Sequence, residues 1–372
     1  MPARRWAACA AVVATALVVS LPVAAGPATA RGTVGQEAPA ALQRDLDAVV
    51  SGGPTGALVE VRDGAGTVHA TAGTAVAGTA APVDPAGRFR AGSVTKAFTA
   101  TVVLQLVAEH RLGLDETVGR RLPGLLPGGD RITVRELLGH TSGLYDYTRT
   151  LPLSPPSAFL PIRYRTWTPG ELVARATAQP AGFPPGTSYR YSDTDYLVLG
   201  MLVEQVTGRP YAEEVTRRII RPLGLAHTSL PGTDPRIPGP HARAYIPDGA
   251  GGVIDITELN PSVMGSAGEV ISSAADLDRF TTALLGGRLL PPRQLAQMTT
   301  VAAPSQTGLG LETLALPCGR TAYGHDGDVP GASTWAFATT DGHAVTLSVT
   351  WGTNRPAKPA VTALLDDALC AA

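Results

Sequence analysis

The chain is 372 residues long, with 30 lysines and arginines against 31 acids, a formal charge of −1 and a hydrophobic content of 44%. That length supports one large domain or two interleaved ones with a substantial core. No basic run or stripe occurs, which excludes the footprint of a nucleic-acid binder, and no Cys- or His-rich ligand spacing is present, so neither a metal nor a cofactor is expected.

The first residues, Met1-Pro2-Ala3-Arg4-Arg5, lead into an apolar run from Trp6 to Ala25, interrupted by Pro22, and then to the small-x-small pattern Ala28-Thr29-Ala30. Residues 1–30 therefore read as an export signal that is cleaved, leaving a secreted product with no stable membrane anchor. Residues 31–40, small and polar, read as a flexible tail. Cys9 falls in the signal, so Cys318 and Cys370 remain. Two cysteines in an exported protein have one possible pairing, and a disulfide is expected.

Ala57 to Arg62 and Thr67 to Thr71 are β-prone runs around Asp63-Gly64-Ala65-Gly66, the pattern of a hairpin. From Ser93 to about Gly113 the chain reads as a mostly apolar, buried helix with Ser93 at its amino end. There, unpaired N–H groups and the helix dipole favour developing negative charge. Residues 116–264 are rich in Pro, Gly and short helical patterns, clearest at 168–178 and 196–207. A helix at 275–285 follows, then a strand pair at 333–340 and 344–351 turned by Asp341-Gly342, and a last helix at 360–368. The expected fold is α/β. Segments 41–115 and 265–372 build one antiparallel sheet flanked by helices, and 116–264 forms a mostly helical inserted domain.

Lys96 stands out because the chain has only one other lysine, Lys358. It lies in Ser93-Val94-Thr95-Lys96, and residues three apart on a helix share a face. A guanidinium cannot release its proton at ordinary pH, whereas a desolvated lysine can serve as a neutral base, so the placement points to an activated Ser93 hydroxyl.

Three further segments add to the motif: Tyr191-Ser192-Asp193 before a helix, Tyr323-Gly324-His325-Asp326-Gly327 at the late strands, and Leu137-Leu138-Gly139-His140-Thr141-Ser142-Gly143. With these the chain resembles the active-site serine penicillin-recognising enzymes, in particular class C β-lactamases and secreted D-alanyl-D-alanine carboxypeptidases, in the version written S-x-x-K, Y-x-N and H-x-G. The resemblance covers about residues 40–370 and implies a β-lactamase/transpeptidase-like fold. It implies Ser93 as nucleophile, Lys96 as its base and Tyr191 as acid/base for the leaving group and the deacylating water. The backbone N–H groups of Ser93 and of Asp328, on an edge strand, would form the oxyanion hole. His325, beside Gly327, would line the opposite wall and hydrogen-bond near Lys96 and Tyr191. His140 reads as a structural histidine.

Asp193 and Asp326 depart from this pattern, where relatives carry Asn and a small hydroxyl residue. Glu312, just after Gly308-Leu309-Gly310-Leu311, stands where an arginine helps hold the substrate carboxylate in carboxypeptidases. Glu312, Asp326 and Asp328 together should repel a carboxylate unless Arg320 or another basic residue supplies the missing cation. The leading expectation is a monomeric D-alanyl-D-alanine carboxypeptidase or β-lactamase-type enzyme acting on a small peptide or β-lactam. The alternatives are an esterase or D-amino-acid amidase/aminopeptidase of the same mechanism, taking an ester or amide, and a weakly catalytic penicillin-binding protein.

Overall fold

A computed structural model describes residues 40–371. The export signal expected at 1–30 and the tail at 31–40 lie outside the described residues, apart from Ala40, which opens a helix the sequence reading did not expect. That helix, α1 (Ala40–Val50), buries Leu42, Leu46 and Val49 on one face, the i, i+4, i+7 stripe of an amphipathic helix. The expected hairpin follows as β1 (Gly56–Asp63) and β2 (Gly66–Gly73), its strands running right up to the turn.

The apolar helix is α2 (Thr95–Ala108), preceded by a 3-10 turn at Gly92–Val94 that carries Ser93. It is buried from Thr95 to Leu104, as its near-uniform apolar sequence requires, and its hydroxyls satisfy themselves inward: Thr99 donates to Ser266 O at 2.8 Å and Thr101 to Ala97 O at 2.7 Å. In the middle of the chain lie α3 (Pro169–Thr177), opened by a capping box between Thr168 and Glu171, and α4 (Asp193–Thr207). The latter begins three residues before the expected Tyr196. Asp193 and Asp195 occupy its first turn, where carboxylates complement the positive end of the helix dipole. Nothing in 116–264 joins the main sheet; its own strands, Tyr245–Pro247 and Val253–Asp255, pair with each other.

After α5 (Ala274–Leu285) come β3 (Glu312–Ala315), β4 (Thr321–Val329), β5 (Ala332–Thr339), β6 (Ala344–Thr350) and α6 (Lys358–Cys370). The six strands order as β2-β1-β6-β5-β4-β3, all antiparallel, so the two ends of the chain meet at the β1–β6 pair. One face is covered by α1 and α6 through Leu46, Val59, Phe337, Leu347, Leu364 and Leu369. The other is covered by α5, which stacks Phe280 on Phe98 of α2 with ring centroids 3.8 Å apart. Among the described residues, no helix is long and apolar enough to cross a membrane.

β4 is not the sheet edge, contrary to the placement expected for Asp328. The short β3 takes that position but pairs only with Thr321–Gly324. His325–Val329 therefore has no strand partner on that side, and packs against the turn that bears Ser93.

Cys318, in the turn between β3 and β4, is bonded to Cys370 at the end of α6, with a Cα–Cα distance of 5.7 Å and a sequence separation of 52. The bridge ties the last helix to the sheet and does not touch Ser93. Replacing both cysteines by alanine is expected to lower the unfolding free energy by about 2–4 kcal/mol and leave kcat/KM unchanged. Thermal melts with and without reductant check this, and an unchanged midpoint would contradict it.

Candidate active site

The first turn of α2, the first turn of α4 and the loop at 265–268 converge on the Lys96 amine, which is fully buried. Nζ lies 2.9 Å from Ser93 Oγ, and it donates to Asp193 Oδ1 at 2.5 Å and to Ala267 O at 2.8 Å. An ammonium has three N–H donors, and Ser93 Oγ, Asp193 Oδ1 and Ala267 O match them one for one. The proton that faces Ser93 is the one whose loss would leave a lone pair for the serine hydroxyl. The Tyr191 O–H donates to Ser93 Oγ at 2.8 Å, and Nζ sits 4.9 Å from the Tyr191 ring centroid. Burial first, and the charge of Asp193 second, push the Tyr191 phenol well above its ordinary range, so it rests protonated.

Gly92 and Gly327 allow the Ser93 turn and β4 to touch. Gly92 has φ +54, and a Cβ there would lie 3.0 Å from Asp328 N; a Cβ on Gly327 would lie 2.7 Å from Ser93 N and 2.2 Å from Ala91 O. Only glycine fits such an approach. It packs the backbone of the Ser93 turn directly against the Gly327–Asp328 backbone.

His325 lines the opposite wall, its ring 6.3 Å from that of Tyr191, but it makes no hydrogen bond to Lys96 or Tyr191. Its Nδ1–H donates to Asp326 O at 2.5 Å. Burial, and then Lys96, push its pKa down to about 4, so the imidazole is neutral at working pH. Glu312 Oε1 lies 4.0 Å and Asp326 Oδ1 3.8 Å from Nδ1, and the Asp326 N–H donates to Glu312 Oε2 at 3.3 Å. The potential ligand atoms of these three residues lie within 4.8 Å of one another. Because Nδ1 spends its proton on a carbonyl, it presents no lone pair to a metal. Partial burial in the groove and the neighbouring Glu312 raise Asp326 to about 6; burial raises Glu312 as well.

Among the described residues, no arginine pairs with Glu312 or Asp326. Arg320 donates to Leu369 O and Ala371 O and pairs with Asp341, far along the sheet. Arg355 is engaged by Asp328 Oδ2 at 2.9 Å. Lys358 lines the same groove, of about 430 Å³, as Glu312 and Asp326.

A buried group behind Tyr191 carried no sequence signal beyond its motif. The Ser192 N–H donates to His140 Nδ1 at 3.3 Å, the Arg190 N–H donates to His140 O at 3.0 Å, and the His140 ring lies 4.4 Å from that of Tyr191. Asp195 Oδ2 is 3.3 Å from His140 Nδ1, and Ser142 donates to Asp195 Oδ1 at 2.5 Å. Burial pushes His140 well below its ordinary value and Asp195 well above, which makes them a neutral pair. Ser142 donates its hydrogen bond to Asp195 rather than to His140, so this is a support for the segment that carries Tyr191 and not a serine–histidine relay. Ala267 O, the third partner of Lys96, was likewise invisible, because any residue offers a carbonyl.

If Lys96 takes the Ser93 proton, Lys96→Arg should react with a fluorophosphonate at least about 100-fold more slowly than the wild type, and Ser93→Ala should not be labelled. Gel fluorescence measures both, and thermal melts check that the variants fold. Labelling of Lys96→Arg within threefold of wild type would exclude lysine as the base.

The Beta-lactamase family pattern matches residues 42–369. A D-stereospecific amidohydrolase from a Streptomyces species superposes with a TM-score of 0.82 at 41% identity, covering 90% of this chain and 99% of that one. A D-amino acid amidase from Ochrobactrum anthropi SV3, complexed with L-phenylalanine amide, gives 0.77 at 29% identity, covering 88% and 97%. The penicillin-binding protein PbpX of Bacillus subtilis is 30% identical over 249 residues, which is 67% of this chain and 58% of its own length. The chain is thus similar to two amidases over their whole length and to part of a longer penicillin-binding protein. On the family match and the shared fold, this chain is a serine hydrolase belonging to the beta-lactamase family.

Proposed function

We propose that the protein is an exported hydrolase that cleaves amides or esters of D-amino acids through an acyl-enzyme on Ser93, rather than a carboxypeptidase. The observation that carries this reading is the pair Glu312 and Asp326, which has no arginine ion-pair partner among the described residues and whose charges reach Tyr191. The similarity to a D-stereospecific amidohydrolase and a D-amino acid amidase supports the same substrate chemistry. Export rests on the reading of residues 1–30 and on the disulfide, a bond that persists in oxidising compartments.

In this mechanism Lys96 takes the Ser93 proton as Oγ attacks the carbonyl carbon, and Asp193 and Ala267 O stabilise the resulting ammonium. The N–H groups of Ser93 and Asp328 receive the tetrahedral oxyanion. As the C–N or C–O bond breaks, Tyr191 gives its proton to the leaving group. The phenolate is costly in so buried a place, but the Lys96 ammonium beside its ring offsets the cost. Tyr191 regains a proton from the water that attacks the acyl carbon, and Lys96 returns its own to Ser93 Oγ, closing the cycle. His325 shapes the wall, being neutral and turned to a carbonyl.

The acidic pair makes a pH-dependent prediction. Asp326 is neutral below its pKa of about 6 and an anion above it, while a terminal carboxylate stays ionised at pH 5 and beyond. For one D-dipeptide supplied as free acid and as amide, the kcat/KM ratio should favour the amide and should rise as pH increases from 5 to 7. Asp326→Asn should flatten that rise. A wild-type preference for the free acid of tenfold or more would restore the carboxypeptidase reading.

A further inference from the structure

Asp193 is a carboxylate where the resembling enzymes carry an amide, and the Lys96 contact uses only half of it. Oδ1 accepts from Lys96; Oδ2 accepts no hydrogen bond from the described residues. The side chain is nine-tenths buried, and it borders a cavity of about 270 Å³. Oδ2 is not sealed off with the rest of the side chain, so its lone pairs are open to a donor that enters from the cavity. Two other charged groups line the cavity, Asp328 and Arg355, and they satisfy each other; Ser333 takes the second Asp328 oxygen at 2.5 Å. Apart from Thr148, the rest of the wall is apolar, with Leu151, Phe159, Leu259, Val263, Met264 and Trp351.

We propose that Asp193 Oδ2 receives the α-ammonium group of the substrate's acyl part and that the apolar cavity takes its side chain. The substrate class is then an amide or ester of an amino acid with a free amine and an apolar side chain. The geometry suits this. Ser93 Oγ and Asp193 Oδ1 both lie within hydrogen-bonding distance of one nitrogen, Lys96 Nζ, and in an α-aminoacyl group the amine is two bonds from the carbonyl carbon that joins Ser93. A carboxylate has about four lone-pair sites on its two oxygens, so Asp193 can hold the Lys96 and substrate cations together. An asparagine could offer a carbonyl oxygen to one of them but no charge to either.

This inference rests on the amide and ester hydrolysis proposed above, and the test separates the two. It compares kcat/KM at pH 7 for D-phenylalanine amide, its N-acetyl derivative and 3-phenylpropanamide, which lacks the amine altogether. Because Asp193 touches Lys96, Asp193→Asn is expected to slow every substrate, and the ratios are the readout. The wild type should favour the free amine over both analogues by tenfold or more, and Asp193→Asn should bring the ratios to within about threefold of one. Met264→Trp, which fills part of the cavity, should shift preference from D-phenylalanine amide to D-alanine amide. Equal turnover of the three amides by the wild type, or ratios unchanged in Asp193→Asn, would overturn the inference and leave amide hydrolysis standing. Cleavage of a free-acid D-dipeptide with no turnover of any amide would overturn both.

Discussion

A lysine amine with no access to water needs hydrogen-bond partners on every side, and the burial of Lys96 organises the whole centre. Its partners come from three separate parts of the chain: Ser93 from the turn before α2, Asp193 from the first turn of α4, and Ala267 O from the loop before α5. α2 is apolar around nearly its whole circumference because it must lie in the core to bring Lys96 there. The middle of the chain must dock on the sheet because it carries both Asp193 and Tyr191. Stability and proposed chemistry thus depend on the same contacts, and a change at any of the three partners is felt at the Ser93 hydroxyl.

The second feature of the centre is its charge. Asp193, Glu312 and Asp326 all stand at or beside the cleft, against the buried Lys96, Lys358 in the groove and an arginine already held by Asp328. In a confined groove, where screening by salt is weak, such an excess is what the proposed function relies on to disfavour anions on the leaving side and favour cations near Asp193. The same scaffold with an arginine near Glu312 would draw a carboxylate in. On the proposed function, a few side chains set the substrate class while Ser93, Lys96 and Tyr191 stay as they are, in keeping with function residing in sites carried on a fold.

Much of this was legible in the sequence, for identifiable reasons. The two hairpins, α2 and the last helix announce themselves by period and turn residues, and Ser93 and Lys96 by a spacing that helix geometry turns into a contact. The disulfide followed from the cysteine count. What was not legible depends on long-range contact. β3 is four residues long and exists because β4 offers it an edge. The early start of α4 reflects acidic residues that helix periodicity does not count. The support of Tyr191 by His140, Asp195 and Ser142 joins residues more than 50 apart, and the single-residue reading of His140 as structural could not show which side chain it holds in place. His325 shows the opposite error, a motif residue expected to hydrogen-bond near the lysine and tyrosine but turned to the backbone of Asp326.

The central claim is that chemistry passes through a covalent ester on Ser93. Rapid acid quench of the wild-type protein with an amino-acid ester during the first turnovers, followed by intact mass and peptide mapping, tests it most directly. The account predicts a transient species heavier by one aminoacyl group, located on the peptide containing Ser93 and absent from Ser93→Ala. Steady turnover by wild-type protein with no covalent species at any quench time, or an adduct on another residue that persists in Ser93→Ala, would contradict it.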